Sequence, residues 1–326
     1  MRFLVTGGAG FIGSHIVERL LSSRKEGHFV RVLDNFSSGK HENLVFTRGQ
    51  PPKVTVPWFE LIQGDIRDKL TCDQACQGID YVLHQAALRS VPKSMKDPES
   101  YNDVNIGGTL NMLQAAVKNK IKRFVFASSS SIYGDTSQFP EKEDAYPLLI
   151  SPYALSKLAN EYYCRIFSHA YGLETVGLRY FNVFGPRQAL DDEYAVVIPK
   201  FIHCILNNQE PPIFGTGKQS RDFTYIDNVA EVNILAATQS AVPMRHEVFN
   251  VANGQDNTVL QLVENLNKII GKNIQPKFLP VRAGDVFRTC ADISKIKEKL
   301  GYTPKVDFEE GLKRTVEYFR SSKGGH

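Results

Sequence analysis

A doubly wound α/β fold with a parallel sheet, followed by a smaller C-terminal α/β part, is predicted from two observations. Short apolar runs alternate with helical patterns through the first half of the chain, as right-handed βαβ units require. The first run, residues 1–5, leads straight into Thr6-Gly7-Gly8-Ala9-Gly10-Phe11-Ile12-Gly13, and Ile12, Ile16, Val17, Leu20 and Leu21 follow at helical spacing. The glycines therefore occupy a strand-to-helix turn.

That turn is the context a dinucleotide site needs. Gly7 permits the tight bend, Gly10 a close backbone approach to a pyrophosphate, and Gly13 close helix–strand packing. The helix behind it aims free N–H groups and a positive dipole end at the phosphate. A glycine triplet alone is weak evidence, because a structural turn needs the same residues. A second signal lies about 20 residues on: the strand 29–33 ends in Asp34. An acidic side chain there accepts from ribose hydroxyls and repels a 2′-phosphate, so NAD is expected over NADP. A polar stretch and Gln50-Pro51-Pro52-Lys53 then read as a surface loop.

Strand 59–62 ends at Gly64-Asp65, and strand 81–84 ends in Gln85-Ala86-Ala87. A long helix is expected over 97–118, then a strand over 123–127 that runs into Ser128-Ser129-Ser130-Ser131. A serine at that strand end can hold a sugar hydroxyl, although four serines also suit a polar turn. Ser151-Pro152 opens a helix over 151–171, with Ser as N-cap and Pro at the first position. Four residues separate Tyr153 from Lys157, which places both on one helix face. Such a pair is by itself an ordinary solvated face. Downstream of a dinucleotide turn it reads as chemistry, since an ammonium one turn away would draw the phenol, ordinarily near pKa 10, toward a working base. Beyond residue 182 the pattern loosens into short strands such as 223–225 and turns at Pro211-Pro212 and Gly215-Thr216-Gly217. Residues 1–181, with 226–250 returning, are expected to form the cofactor domain. Residues 182–225 and 251–322 are expected to form the substrate domain. The tail 321–326 looks frayed.

At 326 residues the chain can bury a sizeable core. A net charge of +4, evenly spread, does not suggest nucleic acid. No apolar run reaches membrane-spanning length, and a strand at the very start leaves no room for a signal peptide. Five scattered cysteines, with Cys72 and Cys76 one helical turn apart, are read as free thiols rather than metal ligands, because no His or Cys cluster partners them. A cytoplasmic, metal-free protein is expected.

Together these motifs resemble an extended short-chain dehydrogenase/reductase, which implies a Rossmann-type fold. Residues 178–186 (Leu-Arg-Tyr-Phe-Asn-Val-Phe-Gly-Pro), Ser220-Arg221-Asp222-Phe223 and Arg282-Ala283-Gly284-Asp285 narrow the resemblance to nucleotide-sugar enzymes. Residues 85–94 (Gln-Ala-Ala-Leu-Arg-Ser-Val-Pro-Lys-Ser) are similar to UDP-hexose 4-epimerases, above all bacterial UDP-N-acetylglucosamine 4-epimerases. The resemblance implies NAD held by Gly7, Gly10, Phe11, Ile12 and Gly13, with Asp34, Asn35, Ser38 and Gly39 near the adenosine ribose and Asp65 and Ile66 at the adenine edge. Gln85, Ala86, Ala87, Arg89 and Tyr180 would complete the cofactor side, and Asn105 would be a structural or cofactor-side contact. Ser129, Tyr153 and Lys157 would be catalytic, with Tyr153 and Lys157 also touching the cofactor. A UDP-sugar would meet Arg89, Ser90, Ser129, Ser130, Ser131 and Tyr153 around the hexose. Asn182, Arg221 and Arg282 would bind its diphosphate and uridine, arginine forks being suited to phosphate, and Val197, Asp285 and Thr289 would also meet the substrate.

The resemblance also separates relatives. Dehydratases and decarboxylases of this group carry a glutamate in the place of Ser130-Ser131, and UDP-glucuronate 4-epimerases usually show Thr where Asn182 stands. Thr289 matches the position that borders the sugar C2 substituent, where small residues admit an N-acetyl group and Tyr excludes it. Inversion at C4 of UDP-GlcNAc/UDP-GalNAc and of UDP-Glc/UDP-Gal is thus expected. The alternatives are a UDP-sugar decarboxylase or 4,6-dehydratase, a UDP-glucuronate 4-epimerase, or a non-catalytic dinucleotide sensor. A homodimer is expected across two helices, through Ile106, Leu110, Leu113 and Val117 on one and Leu155, Leu158, Tyr162 and Ile166 on the other.

Overall fold

The alternation of apolar residues in the opening strand decides the architecture. Phe3 and Val5 face one side of the sheet and Leu4 the other, and all three are fully buried, so helices must cover both faces. The computed structural model describes residues 1–22, 27–45, 55–189, 197–239, 244–281 and 286–322. Its first strands are β1 (Arg2–Thr6), β2 (Phe29–Asp34), β3 (Thr55–Val56), β4 (Phe59–Gln63), β5 (Tyr81–His84), β6 (Arg123–Ser129) and β7 (Glu174–Tyr180). Then come β8 (Val183–Phe184), β9 (Pro212–Phe214), β10 (Ser220–Arg221), β11 (Thr224–Tyr225), β12 (His246–Val251), β13 (Asn257–Thr258) and β14 (Lys277–Leu279).

The main sheet has eight strands in the order β12-β7-β6-β5-β1-β2-β4-β3. All pairs are parallel except β3 on β4, an antiparallel edge too short to be read from sequence. The strand order reverses between β1 and β5, and the crevice at such a reversal is where ligands bind. β12 arrives from late in the chain and pairs with β7 over six residues.

The helices are α1 (Phe11–Ser22), α2 (Lys69–Cys76), α3 (Val91–Lys96), α4 (Pro98–Tyr101), α5 (Thr109–Lys118), α6 (Pro152–Tyr171), α7 (Val197–Leu206), α8 (Ile226–Thr238), α9 (Val259–Ile270), α10 (Ser294–Leu300) and α11 (Phe308–Ser322). One sheet face packs Leu4, Val82 and Phe124 against Cys72, Leu113 and Phe167 of α2, α5 and α6. The other packs Phe3, Val5 and Val125 against Ile16, Val229 and Val232 of α1 and α8, in a cluster that continues to Phe201, Leu266 and Leu312. Leu113, expected at an interface, is fully buried against its own sheet instead.

The helix expected over 97–118 is continuous in direction but not in winding. Asp97 caps α4, a π-helical turn occupies Asn102–Gly108, and α5 completes it. α6 starts as anticipated: the Ser151 hydroxyl accepts from the Ala154 N–H and Pro152 is its first residue. β6 extends two residues past its expected end, and Ser130–Tyr133 forms a 3-10 turn. No described helix is long and apolar enough to cross a membrane. All five cysteines are buried free thiols, and burial pushes Cys72 and Cys76 up to about 12. Among the described residues no group of three or more His, Cys, Asp or Glu could hold a metal ion.

Candidate active site

A cleft of about 950 Å3 opens along the carboxyl ends of β1, β2, β5 and β6. The glycine turn forms its floor. Gly7 has φ 66°, a left-handed conformation that favours glycine, and a Cβ there would lie 2.8 Å from the Ala86 nitrogen. A Cβ on Gly13 would lie 2.1 Å from the Gly7 carbonyl oxygen, so its close packing is onto the turn rather than onto a strand. Phe11, Ile12 and Gly13 open α1, where amide N–H groups have no preceding helical turn to bond. That cradle fits the pyrophosphate of a dinucleotide.

Asp34 ends β2 and is buried. Its carboxylate accepts from the Ala9 N–H at 2.9 Å and the Phe36 N–H at 2.8 Å. Burial raises its pKa, and those two bonds oppose the rise. Asn35 donates to Asp65 at 2.9 Å, and Arg67 pairs with the same carboxylate, which holds Asp65 well below its ordinary range. Asn35, Ser38, Asp65, Ile66, Gln85, Ala86, Ala87 and Tyr180 all line the cleft. Gly39 stands behind this wall, so tight on Ala9 and Asp34 that a Cβ would meet Asp34 Oδ1 at 3.0 Å.

Asn105 takes the structural one of its two expected roles. It is wholly buried, and its amide clamps the Leu88 backbone from both sides (2.7 and 3.0 Å) while donating to Ser156. Its side chain is occupied with positioning the loop after β5 and does not reach the cofactor wall.

At the far end of the cleft lie Tyr153, Lys157 and Arg89. Burial raises the Tyr153 phenol, while a hydrogen bond from Ser129 and the Arg89 charge lower it. Lys157 was expected to supply that lowering. Its amine instead donates to the Ala127 carbonyl at 2.9 Å and stands 5.7 Å from the Tyr153 ring centre. Desolvation brings Lys157 itself down to about 8.

The sugar-side residues are spread over several elements. Arg89 and Tyr153 line the cleft, and Ser129 reaches Tyr153. Ser130 and Ser131 sit in the 3-10 turn, and the buried Ser131 hydroxyl has no partner. Ser90 caps α3 at φ 92° and accepts from the Lys93 N–H. Thr289, buried, donates to Asn182 at 3.1 Å and is tied through its N–H to the Ser220 carbonyl, next to Arg221. Val197 opens α7. Arg282 and Asp285 lie outside the described residues.

The NAD dependent epimerase/dehydratase family model matches residues 3–252. The chain belongs to that family. Its cofactor is therefore NAD, which the glycine cradle and Asp34 fit. Among solved structures this family member is similar to a UDP-N-acetylglucosamine 4-epimerase of Methanobrevibacter ruminantium in complex with UDP-N-acetylmuramic acid. The two are 42% identical over 98% of each chain, with a TM-score of 0.90. A Thermotoga maritima UDP-glucose 4-epimerase with UDP-glucose is 40% identical over 99% of this chain and 100% of its own (TM-score 0.89). A Thermus thermophilus UDP-glucose 4-epimerase complexed with NAD is 36% identical over the same shares (TM-score 0.86).

Sequence reasoning missed one wall of this epimerase/dehydratase-family cleft. Arg187, Gln188, His203, Leu206, Tyr318 and Phe319 form it. Arg187 directly follows a quoted motif and could have been suspected. The α7 and α11 residues carry no signal beyond ordinary amphipathic spacing.

Proposed function

We propose that the chain inverts C4 of UDP-hexoses by oxidation and re-reduction at that carbon, with UDP-GlcNAc/UDP-GalNAc and UDP-Glc/UDP-Gal as substrate pairs. The observation that carries this reading is Tyr153, bonded by Ser129 at the cofactor cleft, beside a turn whose residues 130 and 131 bear hydroxyls rather than a carboxylate. An acid to expel water or assist loss of a carboxyl group is missing from that turn. The named relatives, all 4-epimerases of UDP-sugars, support the same reading.

When bound, NAD supplies the hydride acceptor and, later, the donor. Tyr153 takes the C4 hydroxyl proton and, once the 4-keto sugar has turned to present its other face, gives a proton back to the same oxygen. Ser129 holds the same oxygen. Lys157, anchored on Ala127, keeps a cation near the nicotinamide end. Arg89 offsets the phenolate charge. Asn182, Arg221 and Arg282 bind the nucleotide diphosphate and uridine, Asp285 also meets the substrate, and Thr289 borders the sugar C2 substituent. Residues 1–181 with 226–250 carry the cofactor, and 182–225 with 251–322 carry the sugar nucleotide. Thr289, small and bonded to Asn182, leaves room for an acetamido group, and the active unit is a homodimer.

Incubation with UDP-GlcNAc, UDP-Glc, UDP-GlcA and their 4-epimers, read by NMR, tests the proposal. Interconversion of the first two pairs is expected. Release of CO2 or formation of a 4-keto-6-deoxy sugar would overturn it. Thr289→Tyr should abolish acetylated turnover and spare UDP-Glc, and equal loss of both would remove Thr289 from the sugar pocket.

A further inference from the structure

The turn after β8 leaves the sheet and fastens itself to the outside of α1, the helix whose first residues form the pyrophosphate cradle. Three contacts make the attachment. His15 Nε2 donates to the Pro186 carbonyl at 3.0 Å. Arg187 forms an ion pair with Glu18 and reaches the Ser14 hydroxyl at 3.4 Å. The other end is held by Gln188, which donates to the Val183 carbonyl at 2.9 Å. Arg187, Gln188 and Ala189 meanwhile line the same cleft as Gly7, Gly10 and Gly13.

The segment thus bridges the cleft from the sugar-side part of the chain to the cofactor helix. Its backbone is not relaxed: Arg187 lies at φ 65°, in the left-handed region, without being glycine. Such a conformation persists only while its surroundings impose it. The Glu18 side chain is 39% exposed and that of Arg187 15%, and ion pairs near water are individually weak. Strain on one side and a breakable pair on the other describe a closure that opens reversibly.

We infer that residues 186–188 are a strap over the NAD cleft, and that the Arg187–Glu18 pair is the latch that sets how slowly the cofactor leaves. The pair joins the strap to α1 one turn beyond the glycine cradle, so breaking it frees the strap where the pyrophosphate must exit. A closed redox cycle at one carbon needs a cofactor that does not exchange between its two half-reactions. In that respect the inference deepens the proposed epimerase reading, although the latch itself would serve any NAD enzyme on this scaffold.

The test measures exchange of protein-bound NAD against excess etheno-NAD by fluorescence, with no sugar nucleotide present. The holoprotein is compared with Glu18→Gln, Arg187→Ala and the charge-swapped Glu18→Arg/Arg187→Glu. Each single variant should release NAD at least ten-fold faster, and the swap should recover most of the slow exchange. Circular dichroism checks that each variant is folded. Where a single variant fails to fold, the swap against the unmodified protein decides alone, and fast exchange in the swap overturns the latch. Unchanged exchange in the folded single variants overturns it too, as does a rise in KM for the sugar nucleotide with normal NAD release, which would place Arg187 on the substrate. Epimerisation with unaltered exchange would reject the latch alone, and slow, latch-dependent exchange without epimerisation would reject the reaction alone.

Discussion

The Tyr153 phenol sits between opposing influences. Burial holds it above its ordinary range, and the Ser129 hydrogen bond and Arg89 pull it down. Removing its oxygen leaves nothing at the cleft end able to take the C4 proton. Tyr153→Phe should therefore lower kcat by about 10²–10⁴ while NAD still co-purifies. Turnover by NMR and the nucleotide content of denatured protein check both halves. Burial also acts on a carboxyl, that of Glu141. Glu141 is buried, its Oε2 accepts from the Cys290 N–H, and its other oxygen is unpartnered. Burial pushes it up to about 8 from 4.5, and Asp222 nearby moves up to about 7 from 3.8. Both hold protons in the folded chain that the unfolded chain releases. Their contribution to stability is present below about pH 4 and is lost as pH rises through 7 and 8. Glu141→Gln should flatten the decline of Tm between pH 5 and 8, and an unchanged slope would contradict the assignment.

Longer stretches show where residue patterns speak and where they fall silent. The glycine turn was legible because a Cβ at position 13 has no space, whatever the rest of the molecule does. Gly13→Ala should cost about 1–3 kcal/mol of stability, the usual range for overpacking, and abolish NAD binding. Calorimetric titration of the apoprotein with NAD measures the second effect. The capped start of α6 was legible for a similar local reason. The span of the helix before it was legible too, but its winding was not, since apolar periodicity does not register the extra residue of a π turn. That turn at Asn102–Gly108 holds Asn105 against the Leu88 loop as a clamp, a geometry that spacing alone does not give. Lys157 shows the same gap: spacing gives the helix face but not the acceptor, here the Ala127 carbonyl. The contacts of Pro186 and Arg187 with α1 join residues about 170 apart in sequence, and no local pattern announces them.

Across the whole surface, α6 presents Leu155, Tyr162 and Ile166 at 54, 56 and 55% exposure, an apolar stripe uncommon on a solvated helix. Beside it Met95, Ile106, Ile150 and Leu155 line a groove of about 490 Å3. A two-fold axis through this face would bury both features. Leu155→Arg with Ile166→Arg should convert a dimer into a monomer by light scattering after gel filtration, and a protein already monomeric at micromolar concentration would refute the interface. Leu113 is lost from the expected set, and Leu110 and Val117 also pack against the sheet-side cluster, so of the four residues expected on the first helix only Ile106 is left to that face.

The late arrival of β12 has a consequence during synthesis. Until residue 251 has left the ribosome, β7 is an edge strand with six unpaired positions, the kind of edge that templates association between chains. The interior beneath it is unfinished for the same interval, because the Tyr133 hydroxyl donates to Asn250 at 2.6 Å and Arg179 in turn bonds Tyr133 and Glu161. A nascent chain is thus exposed to aggregation over some 70 residues of elongation after β7 emerges, a window of several seconds at about 5–20 residues per second. A fragment ending at residue 239 should sediment as aggregates where the full chain does not. The price of closing the sheet with a distant segment is dependence on nascent-chain protection until that segment arrives.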